Sequence, residues 1–400
     1  MKIRLTLFLL SLPCVGFSDT EAPVYLAIDA EFGVPHSVSA QSIEKGVRIA
    51  ITEINRQGGV LGGRPLELIT TDNRSMPARG AHNIEQLSRQ KDLVGVVSGR
   101  FSPVILETLP ALQKNKMINL APWSSADGIT ENAMEPKWVF RLSLKDSYAM
   151  PTMLSYARSI QRYKVGLLLT NTSWGRSNEN AAKAFLASAE DLSSVGTVWY
   201  NWRDNSLIDK YETLLAAGAQ AIILVANDDE GAILVSEVAA LPEKKRLPII
   251  SHWGVTGGDF IGQMKHSDDL GKLHFVVVQS FSLFRSDPVK LRKVMELGKE
   301  LFGITKPEEI DAPVGFGQAY DLVHILARAI DMAGSTDRTV IREKLEQVRN
   351  YDGLVKKFKR PFSEKNHDAL VLQDIFMARY GKDGVIYPLP VSASTQTTNK

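Results

Sequence analysis

The chain is 400 residues long, with 44% apolar and 23% charged residues, which is the composition of an ordinary globular protein. A single hydrophobic core rarely grows beyond about 250–300 residues, so this length favours two domains or lobes. The 47 basic and 45 acidic residues leave a formal charge of +2, which gives no electrostatic reason to expect nucleic acid as a partner. The single cysteine, Cys14, excludes an internal disulfide and a cysteine-based zinc site.

The first 18 residues have the pattern of a secretory signal peptide. Lys2 and Arg4 form a basic start, Leu5–Leu12 is apolar, and small residues precede Asp19. We expect cleavage after Ser18, which removes both basic residues and brings the mature charge to zero. The sequence therefore predicts a protein exported to the periplasm.

Two further features bear on the membrane. Lipid attachment at Cys14 is an alternative to simple cleavage, but Pro13 and Ser11 make a poor lipidation signal around it. No later apolar run reaches the roughly 18–20 residues that a membrane-spanning helix needs. We expect the mature chain not to span a membrane.

From about residue 23 to 280, short apolar runs rich in β-formers alternate with amphipathic helical patterns. Within Gln41–Arg56, for example, Val47, Ala50, Ile51 and Ile54 recur at helical spacing. The predicted strands are Val24–Asp29, Leu66–Thr71, Leu93–Ser98, Met117–Leu120, Val139–Leu142, Lys164–Thr170, Val195–Tyr200, Ala221–Ala226, Leu247–Ser251 and His274–Gln279, with further helices over Asp209–Ala217 and Asp229–Ala240. The alternation predicts an α/β fold of two mostly parallel sheets, each of about five strands and flanked by helices.

After residue 280 the pattern changes to consecutive helices followed by a hairpin. The predicted helices are Pro288–Phe302, Gly315–Ala333 and Thr339–Arg349, and the hairpin pairs Leu372–Tyr380 with Val385–Pro388. Residues 391–400 are polar and are expected to form a frayed tail.

No arrangement of residues indicates catalysis, a metal site or a cofactor site. The sequence has no G-x-S-x-G elbow, phosphate-binding loop or H-E-x-x-H motif, and its seven histidines lack metal-ligand spacing. The run Gly315–Tyr320 approaches a dinucleotide-binding pattern but follows no strand, so we interpret its glycines as sites of close helix packing. The sequence predicts a protein that is not an enzyme.

Small hydroxyl residues and tryptophans follow several of the predicted strands. The segments are 30–32, 99–102, 121–125, 173–175, 227–229 and 252–254, which include Phe32, Phe101 and three of the six tryptophans. Ligands of parallel α/β sheets bind outside the carboxyl ends of the strands. An exposed tryptophan there is unfavourable unless something covers it. The pattern therefore predicts a ligand cleft along this edge.

The ordered segments of the chain resemble a known family. Ile43–Asn55, Gly58–Pro65, Val96–Ser102, Asn119–Thr130 and the later motif Ser173-Trp174-Gly175 are similar to those of leucine/isoleucine/valine-binding-protein-like periplasmic proteins. The resemblance covers nearly all of the mature chain. It implies a two-lobed type I periplasmic binding fold with the ligand held between the lobes.

The resemblance also implies where the lobes begin and end. Lobe one is expected to comprise residues 21–142 and 281–355, and lobe two residues 143–280 and 356–390. Three chain crossings are expected to join them.

Several binding residues are implied by matching positions one at a time. Ser102 matches the family serine whose hydroxyl meets the ligand carboxylate. Trp123, Ser124 and Ser125 fall on the segment that grips the same group, and Trp174 matches the aromatic residue that walls the second lobe. Hydroxyl and N–H groups together supply the several donors that a carboxylate needs.

Trp253 departs from the family pattern. It falls where amino-acid binders of the family carry a glutamate that neutralises the ligand ammonium, and an indole offers only a cation–π face. Either Asp228 or Asp229 takes over that role, or the ligand has no α-ammonium. An amino acid, an amide, a quaternary amine and an aromatic acid all remain open as ligands.

The resemblance implies a function in transport. We expect a monomeric receptor that captures a small molecule and delivers it to the permease subunits of an ABC importer. The alternative is a sensory protein of the same fold that signals to a membrane kinase or regulator. Both use the same closing cleft, so the residues leave this choice open.

Overall fold

The structure, a computed structural model, describes residues 22–390. The predicted signal peptide, its cleavage site, Cys14 and the polar tail lie outside the described residues. Within residues 22–390, none of the helices has the length and apolar character that crossing a membrane requires.

The elements follow one another as the alternating pattern predicts. The strands are β1 (Val24–Ala30), β2 (Leu66–Asp72), β3 (Leu93–Ser98), β4 (Asn119–Ala121), β5 (Val139–Arg141), β6 (Lys164–Thr170), β7 (Ser193–Tyr200), β8 (Ala221–Val225), β9 (Ile249–Ser251), β10 (Phe275–Gln279), β11 (Tyr351–Asp352), β12 (Lys357–Phe358), β13 (Phe376–Tyr380) and β14 (Ile386–Pro388). The helices are α1 (Ser39–Arg56), α2 (Pro77–Leu87), α3 (Ser102–Lys114), α4 (Asp146–Ser159), α5 (Ser173–Leu186), α6 (Ile208–Ala216), α7 (Asp228–Ala239), α8 (Pro288–Phe302), α9 (Pro313–Ala333) and α10 (Arg338–Leu345).

Two sheets form the centres of two lobes. The first has five parallel strands in the order β2-β1-β3-β4-β5. The second has seven, in the order β14-β13-β10-β9-β8-β6-β7, and its parallel part is extended by the antiparallel strands β13 and β14. The prediction of about five strands per sheet is therefore wrong for the second sheet, because the terminal hairpin joins its edge.

The central strands are buried along their whole length because helices cover both faces of each sheet. All residues of β3 and β8 are buried, as expected for parallel strands. The late helices return to the first lobe, where α9 packs on α1 and α10 packs on α9. At the α1–α9 crossing, a Cβ on Gly46 would lie 2.2 Å from the carbonyl oxygen of Phe316, so only glycine fits.

The chain passes between the two sheets three times: after β5, after β10 and before β13. The fold is thus the two-lobed α/β architecture that the sequence predicts. The lobe boundaries given above stay a prediction. The hairpin begins later than predicted, because Leu372–Asp374 forms a helical turn in which Asp374 accepts a hydrogen bond from the Val371 N–H (2.9 Å).

Candidate ligand site between the lobes

The carboxyl ends of the parallel strands in both sheets face one another across the cleft. In lobe one, the chain leaves β3 at Ser98 and begins α3 at Ser102. In lobe two, α5 begins just after β6, and its first turn is capped by the Thr172 hydroxyl, which accepts from the Gly175 N–H (3.3 Å). This topology brings residues that are distant in sequence to a single site.

Three buried serines lie on the lobe-one side of the cleft. Ser102 Oγ accepts hydrogen bonds from the N–H groups of Ser125 and Ala126, both at 3.2 Å. The Ser124 hydroxyl donates to the Gly99 carbonyl (3.0 Å). A ligand carboxylate arriving here would accept from the two N–H groups in place of Ser102. The hydroxyls of Ser102 and Ser125, which both line this space, would then be free to donate to it.

Aromatic rings from opposite lobes meet in front of these serines. The rings of Trp123 in lobe one and Trp253 in lobe two have centroids 5.7 Å apart. Phe101 and Trp202 form a second pair across the cleft, edge to face at 5.4 Å. The space left among these rings, Ser102, Ser125 and Trp174 is about 10 Å³, about enough for one water molecule. This part of the cleft is thus filled by its own side chains, and a solute can enter it only when these side chains move apart.

An ion pair closes the cleft between the lobes. Arg100 Nη1 lies 2.7 Å from Asp228 Oδ1 and donates to the Gly254 carbonyl at 3.2 Å. Its Nε lies 4.0 Å from Glu31 Oε1. The Arg100 and Asp228 side chains are only 4% and 3% exposed, so the pair is shielded from water. A Cβ on Gly257 would lie 2.0 Å from Arg100 Nη1, which shows how closely the guanidinium packs on the opposite lobe.

A buried acid and a histidine hold Trp174 in position. Trp174 Nε1 donates to Asp146 Oδ1 (3.3 Å), and His252 Nε2 lies 3.2 Å from the same oxygen. The Trp174 and His252 rings meet edge to face at 5.0 Å. Nearby, burial raises the pKa of Asp127 to about 6, with a further contribution from the charge of Asp146. Trp174 therefore packs within its own lobe as well as lining the cleft.

The structure brings most of the predicted binding residues together. Phe101, Ser102, Trp123, Ser125, Trp174 and Trp253 line the narrow space. Ser124 is buried behind it, and Asp228 is paired with Arg100. Phe32 is half-buried against the core and does not line this space. That these residues contact a ligand stays a prediction.

Sequence reasoning missed four residues of this site. Arg100 and His252 were noted only as members of strand-end segments, and Trp202 and Asp146 not at all. Trp202 lies just after β7, so the rule that selected the other tryptophans would have found it. Asp146 begins α4 beyond the first crossing, and its contacts depend on tertiary packing alone. Among residues 22–390, no group of three or more His, Cys, Asp or Glu side chains is placed to hold a metal ion.

Comparison with known proteins identifies the family. The model of the family described as "periplasmic binding protein" matches residues 32–248, which is more than half of the chain, so the chain belongs to this family. It is 21% identical over 337 residues to the "Leu/Ile/Val-binding protein homolog 3" of Brucella melitensis, with 81% of this chain and 83% of that protein covered. The resemblance noted in the sequence to leucine/isoleucine/valine-binding-protein-like type I proteins is thereby confirmed.

Solved structures share the fold. A type 1 periplasmic binding protein from Bordetella pertussis has a TM-score of 0.81 at 19% identity, with 92% of this chain and all of that chain covered. A solute-binding protein of an ABC transporter from Rhodopseudomonas palustris, in complex with 3,4-dihydroxybenzoic acid, has a TM-score of 0.74 at 15% identity, with 92% and 96% covered. These likenesses establish the two-lobed architecture.

Proposed function

We propose that this chain is a periplasmic solute receptor that captures a small carboxylate-bearing or polar ligand by closing its lobes and delivers it to an ABC importer. The observation that carries the proposal is the meeting of two tryptophans from opposite lobes in front of hydroxyl and N–H donors. The donors of lobe one suit an anionic group, and the rings of both lobes suit an apolar body. Binding and closure, without chemistry on the solute, are what this arrangement provides.

The residues favour an aromatic acid over an amino acid. Trp253 stands where a glutamate is expected in amino-acid binders, and Asp228 is already neutralised by Arg100 at 2.7 Å. An α-ammonium group would therefore find no free carboxylate among the residues lining the narrow space. A flat ring that enters between Trp123 and Trp253 as they move apart would gain from stacking, and its carboxylate would face Ser102 and Ser125. An amide or an amino acid is the next candidate.

A ligand screen tests this function. The mature chain is heated with a panel of amino acids, amides and aromatic acids, because a solute that binds only the folded state raises its melting temperature. We expect the largest shift from an aromatic carboxylate. Uptake of that labelled solute is then measured in cells with and without this protein. Loss of uptake supports transport, whereas unchanged uptake with lost transcriptional response supports a sensory protein.

A further inference from the structure

A second cavity lies between the lobes, away from the tryptophans. Its volume is about 690 Å³, and it shares no lining residue with the narrow space at Trp123 and Trp253. His36–Val38 of lobe one line one wall and Gly258–Gly262 of lobe two line another. Main-chain hydrogen bonds join these walls, from the Val38 N–H to the Gly257 carbonyl (3.0 Å) and from the Asp259 N–H to the His36 carbonyl (3.1 Å). The cavity is therefore made by lobe closure.

The charged residues that line this cavity are mostly acidic. Glu308 and Asp311 belong to lobe one, Asp259 and Asp383 belong to lobe two, and no lysine or arginine lines it. All four carboxylates are exposed at the rim. Among the described residues, none of them has a lysine, arginine or histidine nitrogen within ion-pair distance. Closure thus brings exposed negative charges of both lobes to one cavity, and their combined potential attracts a cation.

Aromatic rings form the interior of the cavity below this rim. Phe260 and Tyr380 lie 5.2 Å apart, and Phe284, which is 42% exposed, stacks on Tyr387 at 5.1 Å. One face of Phe376 is already covered by the guanidinium of Arg285, 4.0 Å from its centroid. Ring faces attract cations in this way, most strongly where water is excluded. The remaining rings suit the body of a ligand whose charge faces the rim.

A buried side chain of the cavity wall has an unused donor. Gln279, at the end of β10, is only 2% exposed and lines the cavity. Its Nε2 has no hydrogen-bond partner among the described residues. A buried amide N–H group without a partner is unfavourable, because it has given up its hydrogen bonds to water. The Nε2 atom has less than 1 Å² of accessible surface, so a hydroxyl or carbonyl oxygen of a ligand would satisfy it once the amide rotates toward the cavity.

We propose that this cavity is a second binding site, for an organic cation that carries an aromatic or apolar body and a hydrogen-bond acceptor. The inference rests on the lobe closure of the proposed function but not on its ligand. Occupancy by a cation offsets part of the negative charge of the four carboxylates and holds the closed state, so the cation and the solute at the tryptophans favour each other's binding.

Three small molecules that share the same aromatic group but differ in charge test the proposal. Tyramine, tyrosol and 4-hydroxyphenylacetate share a hydroxyphenyl ring on a two-carbon chain and end in an ammonium, a hydroxyl and a carboxylate. Calorimetric titration of the mature chain is expected to show tyramine binding at least about tenfold more tightly than tyrosol, because only tyramine makes charge-assisted contacts with the carboxylates and cation–π contacts with the rings. Salt is expected to weaken tyramine binding and to leave tyrosol binding unchanged.

Variants assign the binding to one site or the other. Glu308→Gln combined with Asp311→Asn is expected to weaken tyramine binding about tenfold or more, whereas Glu243→Gln is the matched control, because Glu243 is exposed and lies outside the cavity. Ser125→Ala is expected to leave tyramine binding unchanged. If tyramine, benzyltrimethylammonium and choline all bind no better than tyrosol, or if the double variant binds tyramine like the wild type, the second site is wrong. The proposed function then stands or falls separately, on whether any solute of the screen binds in a way that Ser125→Ala weakens.

Discussion

Arg100 of lobe one and Asp228 of lobe two form a buried ion pair, with Nη1 and Oδ1 2.7 Å apart. Arg100 lies in the loop between β3 and α3 of lobe one, and Asp228 is the first residue of α7 in lobe two, so the pair forms only when the lobes are closed. Removing one partner of a buried pair leaves the other charge without compensation, which is unfavourable by about 3–5 kcal/mol. In this protein the unpaired charge can become hydrated again, because opening the cleft exposes it to water.

Asp228→Asn is therefore expected to shift the solute-free protein toward an open form. Small-angle X-ray scattering is the measurement, and we expect the radius of gyration of the variant to exceed that of the wild type. Glu300→Gln is the control, because Glu300 pairs with Arg56 on the surface of lobe one and both side chains are about half exposed. Equal radii for Asp228→Asn and the wild type would show that the ion pair does not govern closure.

Trp174→Ala is expected to lower both stability and solute affinity. Trp174 is 6% exposed, donates to Asp146 and packs on His252, and truncating a buried aromatic residue costs about 3–5 kcal/mol. Thermal melting of the solute-free protein measures the first effect, and calorimetry on the folded fraction measures the second. Trp174→Phe keeps one aromatic ring but loses the hydrogen bond to Asp146 and part of the packed indole surface, so we expect a smaller change in both than for Trp174→Ala. If Trp174→Ala binds the solute with unchanged affinity, Trp174 contributes to packing only.

Asp127 makes stability depend on pH in a defined direction. Burial, and then Asp146, raise its pKa from 3.8 to about 6, so the folded state holds the proton more tightly than the unfolded state does. The contribution of Asp127 to stability is fully present below pH 3.8 and is lost as the pH rises through about 6. The free energy of unfolding of Asp127→Asn, relative to that of the wild type, is thus expected to increase by about 1–2 kcal/mol from acidic to neutral pH.

Denaturant unfolding of both proteins near pH 4.5 and pH 7.5 measures this difference. The amide oxygen of the variant still accepts from the Ser147 N–H, which lies 3.1 Å from Asp127 Oδ1. Asp268→Asn is the control, since the Asp268 side chain is 72% exposed. A difference between Asp127→Asn and wild type that is the same at both pH values would contradict the assignment.

The export prediction is tested by the mass of the protein from a periplasmic extract. The basic start, apolar stretch and small residues before Asp19 predict a mature chain that begins at Asp19 and carries no modification. A mass that includes Met1 would exclude cleavage. A mass that corresponds to a chain beginning at Cys14, with acyl chains added, would show the lipid-anchored alternative.

Much of the fold could be predicted because local rules determine it. The bounds of β6 and α8 agree with the prediction. For α8 the signals are local: a capping Asp287, a proline at its first position and Gly303 in a left-handed conformation at its end. Met117–Leu120 was predicted two residues too early, because Met117 and Ile118 are buried and apolar but only Asn119–Ala121 form the strand. Apolar character alone does not separate a strand from the buried loop before it.

The candidate site could be located but not completed. Strand ends indicated the edge where Ser102 and Trp174 lie, because every parallel strand presents its carboxyl end there. The pairing of Arg100 with Asp228 and the filling of the cleft by Trp123 and Trp253 depend on how the two lobes meet. Nothing in the local sequence specifies that contact, and so nothing predicted the 690 Å³ cavity beyond it.

The measurement that tests the central claim most directly is calorimetric titration of the wild type and of Ser125→Ala with the aromatic acid that gives the largest melting shift. Ser188→Ala is the control, an exposed serine just after α5 in lobe two, whose hydroxyl donates to the Phe185 carbonyl. The account predicts one solute per chain at this site and an affinity about 10–100-fold lower for Ser125→Ala, as loss of a hydroxyl donor to a charged group requires. Binding of that acid with equal affinity by Ser125→Ala, or the absence of binding by any solute in the panel, would contradict it.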